Sequence, residues 1–195
     1  MSLLYNAQVI EGLLLVDKPH GISSFGVVSK VRWLITQEVK RAHTERGYCH
    51  EPTQPIAVCK CKVKVGHTGT LDPAATGLLV LAIGKYTKRV PELIKQDKTY
   101  QVTMRLGQKS TTGDKEGDIT EISAIQPSTT DIENALMQFT GDLMQTPPAF
   151  SAIKVNGQRA YNLARQGKEV VIQPRPVKIY ANTLTSYEYP FVTFA

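Results

Sequence analysis

A chain of 195 residues that is 42% hydrophobic and 21% charged has the make-up of a soluble globular protein, long enough to bury a substantial core as one domain with a smaller lobe. No apolar run approaches a membrane span, and residues 1–11 lack the basic start and apolar centre of a secretory signal, so an intracellular protein without membrane attachment is expected. Lys and Arg outnumber Asp and Glu by 23 to 17, a formal charge of +6 that suits a polyanionic partner, while Cys49, Cys59 and Cys61 form an odd, crowded set that argues against a disulfide framework and for a reducing compartment.

Residues 12–16 read as a short apolar strand, followed by Asp17-Lys18-Pro19-His20-Gly21-Ile22-Ser23-Ser24. Either serine can cap the helix that follows, in which Val28, Val31, Leu34 and Ile35 fall on one face. Lys18 fits two roles in this turn, a contact to phosphate or a buried partner for backbone carbonyls. Residues 37–64 are polar, carry Lys40, Arg41, Arg46, Lys60, Lys62 and Lys64, hold Pro52 and Pro55, and read as an exposed basic insertion. His50 and the three cysteines invite a zinc site. However, Cys-x9-Cys-x-Cys is not the paired-knuckle spacing of structural zinc, so no metal is expected.

The next stretch organises the chain. Residues 65–77 form a polar, glycine-broken loop containing His67 and the single carboxylate of Asp72, and residues 78–83 are apolar throughout, as in a strand buried on both faces. The loop thus lies at the mouth of the core, and Pro73 fixes the chain just after Asp72, so that the carboxylate is presented in one orientation. Residues 86–94 predict a helix that starts late or kinks at Pro91. Residues 99–106 alternate as a half-buried strand with Tyr100, Val102, Met104 and Leu106 on one face.

Residues 107–118 are turn-rich and polar, with acidic spacing unlike a calcium loop. Thr130-Asp131-Ile132-Glu133 predicts a capping box for a helix that buries Ile132, Ala135, Leu136 and Phe139 and ends near Gly141. Asn156-Gly157 is a hairpin-type turn, a short helix is expected over residues 159–166, and residues 173–176 are a Pro-rich break. A last strand over residues 177–184 runs into residues 191–195.

The string Gly66-His67-Thr68-Gly69-Thr70-Leu71-Asp72-Pro73-Ala74-Ala75-Thr76-Gly77-Leu78-Leu79 closely resembles the signature of the TruB family of tRNA pseudouridine synthases. Lys18-Pro19-x-Gly21-x-Ser23-Ser24 and Asp97-Lys98-Thr99-Tyr100 resemble the family's first and second motifs. Pro147-Pro148-x-x-Ser151-Ala152-x-Lys154-x-x-Gly157-x-Arg159-x-Tyr161-x-x-Ala164-Arg165 is similar to the stand-alone tRNA enzymes. Guide-RNA-dependent relatives have a different and shorter version of that region.

This resemblance implies an α+β pseudouridine synthase fold: a mixed, mainly antiparallel sheet with flanking helices and an RNA-gripping lobe over residues 128–172. It implies that Asp72 is the catalytic residue, as nucleophile or as base, that Tyr100 stacks on the target base, and that His67 sits close to the extruded nucleotide. Lys18, Lys154 and Arg159 are further candidate substrate contacts, and Arg165 and Lys168 offer charge to the RNA backbone. The implied substrate is a uridine in the T arm of tRNA. A monomer is expected, with no cofactor, because the isomerisation neither oxidises the substrate nor carries a group away. Relatives continue into a strand with a Gly-x-Tyr-Ile-Arg motif whose arginine pairs with the aspartate, and some into a further RNA-binding domain. Residues 1–195 contain neither, so a fragment of a longer and more active gene product is expected. The competing readings are a non-catalytic RNA-binding or RNA-folding protein and a guide-dependent ribonucleoprotein subunit.

Overall fold

Two apolar extended segments meet in register: β1 (Gly12–Lys18) runs antiparallel to β3 (Gly77–Ile83), from Gly12 opposite Ile83 to Lys18 opposite Gly77. The short β2 (Val65–His67) pairs with the other edge of β3. The computed structural model describes residues 10–45, 63–115, 117–151 and 153–195, and the chain divides into two units, Met1–Asp97 and Lys98–Ala195. The three strands belong to the first.

In that unit, α1 (Ser24–Glu45) covers one face of the sheet. Helical spacing brings Val27, Val28, Val31 and Ile35 onto Val65, Leu79, Leu81 and Ile83, and Leu81 is 0% exposed. Two expectations are corrected here. Leu34 is 48% exposed, because the buried stripe runs through Val27 and Val28 rather than through Leu34. The apolar run is buried chiefly on one face: Leu78 is 64% exposed, and Leu13 and Leu15 of β1 are exposed as well, since α1 covers only the opposite side.

Residues 37–45, expected in a loop-like insertion, continue α1 instead. Cys49, His50, Cys59 and Cys61 lie outside the described residues. After β3 a 3-10 helix (Gly84–Arg89) leads into α2 (Val90–Leu93), with Pro91 in the first turn, where its missing N–H has no helical partner to lose. The late start is therefore the arrangement found.

The second unit is built from small antiparallel sheets. The strands β4 (Val102–Arg105), β11 (Leu184–Glu188) and β12 (Phe191–Phe194) form a sheet in the order β11-β12-β4. Between them in sequence, β5 (Gln108–Ser110) pairs with β6 (Ile119–Glu121), and β7 (Gly141–Gln145) pairs with β10 (Arg175–Ile179). The hairpin β8 (Lys154–Val155) and β9 (Gln158–Arg159) leads into α4 (Ala160–Arg165). Its core gathers Ile132 and Leu136 of α3 (Thr129–Met137) against Val192, with Leu106, Leu184, Tyr187 and Phe194 around them. All strand pairs among the described residues are antiparallel, which with four helices makes an α+β fold. No helix among these residues is long and apolar enough to cross a membrane.

Three local expectations change in this unit. The strand expected over residues 99–106 is confined to Val102–Arg105, leaving Tyr100 in the extended segment before it. The strand expected over residues 177–184 is broken: β10 ends at Ile179 and β11 begins at Leu184 in a different sheet. At the break, the Asn182 side-chain amide donates to the carbonyls of Leu136 and Phe139 at the end of α3, so the chain turns a corner to close that helix.

The capping box exists but sits two residues upstream of the expected one. Ser128 is the cap: its Oγ accepts from Asp131 N–H, and its own N–H donates to the Asp131 carboxylate at 2.9 Å. Helix α3 accordingly buries Ile132 and Leu136, whereas Ala135 and Phe139 are exposed. The Ser128 hydroxyl, donating at 2.6 Å, and then its backbone N–H hold the Asp131 carboxyl below its ordinary value of 3.8. A carboxylate whose pKa falls on folding contributes stability that is present above its unfolded value and lost as pH falls through the folded one. Acidification below about pH 4 should therefore loosen the start of α3 in the parent, and Asp131→Asn should remove that step. Amide exchange at Asp131 and Ile132 against pH checks this, and identical profiles for the two proteins would contradict it.

Candidate active site

Asp72 lies in the loop that joins β2 to β3, with its side chain exposed. The loop begins where Thr68 N–H donates to Val80 O, and it is then held at three consecutive carbonyls. Leu71 O accepts from Ser24 Oγ at 2.8 Å, and Asp72 O accepts from Ala75 N–H at 3.1 Å. Pro73 O accepts from both Gly21 N–H at 2.8 Å and Lys18 Nζ at 3.2 Å. Gly21 reaches this carbonyl from a turn with φ +87°, a conformation that costs glycine little. The carboxylate is thus carried by a backbone pinned on both sides, as an oriented reactive group requires.

The two serines of the first motif divide the work that either could have done. Ser23 Oγ accepts from Gly26 N–H at 3.0 Å and caps α1, leaving Ser24 to face the loop. Lys18 resolves its two candidate roles toward the structural one. It is 0% exposed, and its ammonium donates to Pro19 O, Ile22 O and Pro73 O at 2.8–3.2 Å. With its three protons directed inward, it is withdrawn from the surface where a phosphate would lie, and its expected place among the substrate contacts is corrected accordingly. His67 sits at the end of β2, partly buried, with Nδ1 out of solvent and without a hydrogen-bond partner among the described residues.

In the second unit, Tyr100 is 55% exposed, so its ring is open to contact. Lys154 and Arg159 are exposed and directly opposite each other across the β8–β9 hairpin, which turns through Asn156 and Gly157, both at positive φ. The Arg165 guanidinium lies 5.7 Å from the centre of the Tyr161 ring on α4. The first unit therefore brings Lys18, His67 and Asp72 into one loop system, and the second joins Lys154 to Arg159 on one hairpin. Among the described residues, no group of three or more His, Cys, Asp or Glu side chains is gathered as a metal site.

Residues 57–195 match the family model described as the TruB family pseudouridylate synthase N-terminal domain. Proteins named tRNA pseudouridine synthase B are similar over most of the chain. That of Dinoroseobacter shibae is 41% identical over 94% of this chain and 51% of its own length. That of Bartonella quintana is 42% identical over 87% and 54%, and that of Clostridium acetobutylicum 40% over 95% and 55%. The chain spans about half the length of the curated relatives it matches.

Among solved structures, a chain of a Cbf5-Nop10-Gar1 complex superposes with a TM-score of 0.59 at 24% identity, covering 96% of this chain and 39% of that one. A chain of an H/ACA ribonucleoprotein bound to a substrate RNA containing 2'-deoxyuridine gives 0.54 at 21% identity, over 94% and 36%. At these identities the likeness is one of fold, an antiparallel α+β arrangement shared with both chains. A matched domain covering most of the sequence, with Asp72 on a loop held from both sides within it, makes this chain a member of the TruB pseudouridylate synthase family.

Proposed function

We propose that the protein is a tRNA pseudouridine synthase that converts a uridine in the T loop of tRNA to pseudouridine, with Asp72 as the catalytic residue. The observation that carries this reading is the exposed Asp72 carboxylate on a backbone clamped at Leu71, Asp72 and Pro73. The reaction breaks the bond from ribose C1′ to uracil N1, turns the base, joins C1′ to C5, releases the C5 proton to solvent and leaves a proton on N1. It needs one well-placed carboxylate, acting as nucleophile on the sugar or uracil ring or as base toward the ribose.

The target base is stacked in the folded T arm and must be drawn out. Tyr100, exposed on the second unit, supplies a face for it to stack on, and His67 borders the catalytic loop. Stacking on an aromatic ring is worth about 1 to 3 kcal/mol per base, so Tyr100→Ala should lower kcat/KM by about 10- to 100-fold. Tyr100→Phe, which retains the ring, should stay within about threefold of the parent. Equal losses in the two variants would take stacking away from Tyr100.

Lys154 and Arg159, with Arg165 and Lys168, supply positive charge for the RNA backbone, and recognition of T-arm shape supplies selectivity. Direct action on tRNA is favoured over guide-dependent action because the tRNA pseudouridine synthase B sequences match at 40–42% identity and the Cbf5-complex chain at 24%. The protein works as a monomer in a reducing intracellular compartment. Release of tritium from a T-arm transcript labelled at uridine C5, with no added protein or RNA, tests the assignment. A protein that binds the transcript without releasing tritium would instead be an RNA-binding member of the family.

A further inference from the structure

We propose that Ser24 is the positioning residue of the catalytic loop, its hydroxyl serving Leu71 as a neighbouring strand would and thereby setting the direction in which Asp72 leaves the backbone. The inference rests on the reading of Asp72 as the reacting carboxylate. Ser24 is 2% exposed and lies in the first turn of α1, where a serine ordinarily spends its hydroxyl on helix amides. Ser23 performs that duty here, with Oγ accepting from Gly26 N–H and its carbonyl from Val27 N–H.

The freed hydroxyl of Ser24 works in both directions on one residue. It accepts from Leu71 N–H at 2.9 Å and donates to Leu71 O at 2.8 Å. A hydroxyl has one proton to give and lone pairs to receive, so a single side chain satisfies both backbone groups of a residue in an irregular loop. The Leu71 carbonyl belongs to the peptide plane that also carries the Asp72 nitrogen. Fixing that plane fixes one of the two bonds about which Asp72 can swing. The plane that follows Pro73 is held independently, through its carbonyl, by Lys18 and Gly21. Asp72 is suspended between two anchored peptides, and Ser24 supplies the upstream anchor. Leu71 itself packs against the core of the first unit, so the anchor stands on buried ground.

Ser24→Ala removes the donor and acceptor while leaving Lys18, Gly21 and the Ser23 cap in place. With about an ångström of misplacement costing on the order of 100-fold in rate, kcat on the T-arm transcript should fall about 30- to 100-fold with KM within about twofold. Ser24→Thr, which keeps the hydroxyl, should recover most of the loss. Backbone order parameters by NMR provide a readout that does not depend on turnover. The Leu71 and Asp72 amides should be rigid in the parent, near about 0.85, and drop toward about 0.6 in Ser24→Ala while those of Leu79 and Leu81 are unchanged.

Loop amides as rigid in Ser24→Ala as in the parent would overturn the proposal, and so would a loosened loop with unchanged kcat. A parent that releases no tritium would overturn the catalytic reading of Asp72. The order parameters would in that case still decide whether Ser24 holds the loop.

Discussion

Asp72→Asn should abolish tritium release, lowering turnover by about 10⁴-fold or more while affinity for the T-arm transcript stays within about threefold. The substitution is nearly isosteric, and the clasp on this loop is made by Leu71, Pro73 and the backbone of residue 72, none of which it alters. What disappears is the ionised oxygen pair. An amide cannot add to a sugar or uracil carbon and leave again, nor accept a proton from ribose, so both roles open to the carboxylate fail together. Turnover by Asp72→Asn within about tenfold of the parent would move catalysis elsewhere. Loss of affinity as large as the loss of rate would make Asp72 a binding residue instead.

Lys18→Met should destabilise the first unit by about 2 to 6 kcal/mol and leave RNA affinity almost unchanged in the protein that remains folded. Methionine matches the length of the lysine stem but gives no proton. Pro73 O keeps the Gly21 amide, whereas Pro19 O and Ile22 O lose the ammonium that reaches them at 3.0 and 2.8 Å. Each orphaned acceptor costs about 1 to 3 kcal/mol. Arginine should not restore the parent, because a flat fork does not fill a place shaped for one compact ammonium between three carbonyls. Urea unfolding followed at Trp33, the one tryptophan of the sequence, measures the effect on α1. A lysine held for phosphate contact would give the reverse pattern, with unchanged unfolding and weakened RNA binding.

How far the amino-acid string revealed these features depended on whether a residue's role is local. The Asp72 loop, the strand after it, the late helix start at Pro91 and the turn at Asn156-Gly157 were all legible, because glycine, proline and apolar runs act over a few positions. Lys18 was not. An ammonium suits a phosphate and a cage of carbonyls equally, and the cage here includes Pro73, 55 positions away. The division of labour between Ser23 and Ser24 was hidden for the same reason, though the doubled serine was a signal that one hydroxyl was spare.

Elsewhere local rules competed. Thr130 with Glu133 matched the favoured capping-box pattern, but Ser128 with Asp131 won, and the helix began sooner. The apolar periodicity through residues 177–184 gave no sign that Asn182 would be drawn to the end of α3, breaking one expected strand into two. Tyr100 followed the alternation of its strand yet stays outside it, because the ladder with β12 begins at Val102.

The anchors on the Asp72 loop come from partners 47 and 55 positions upstream. Contacts of such separation form only after a long stretch of chain has been closed, as does the β1–β3 ladder that brackets them. A newly made chain therefore holds an aimed carboxylate only when its first turn, first helix and central strand have already met, and partly folded molecules carry the acid without the aim.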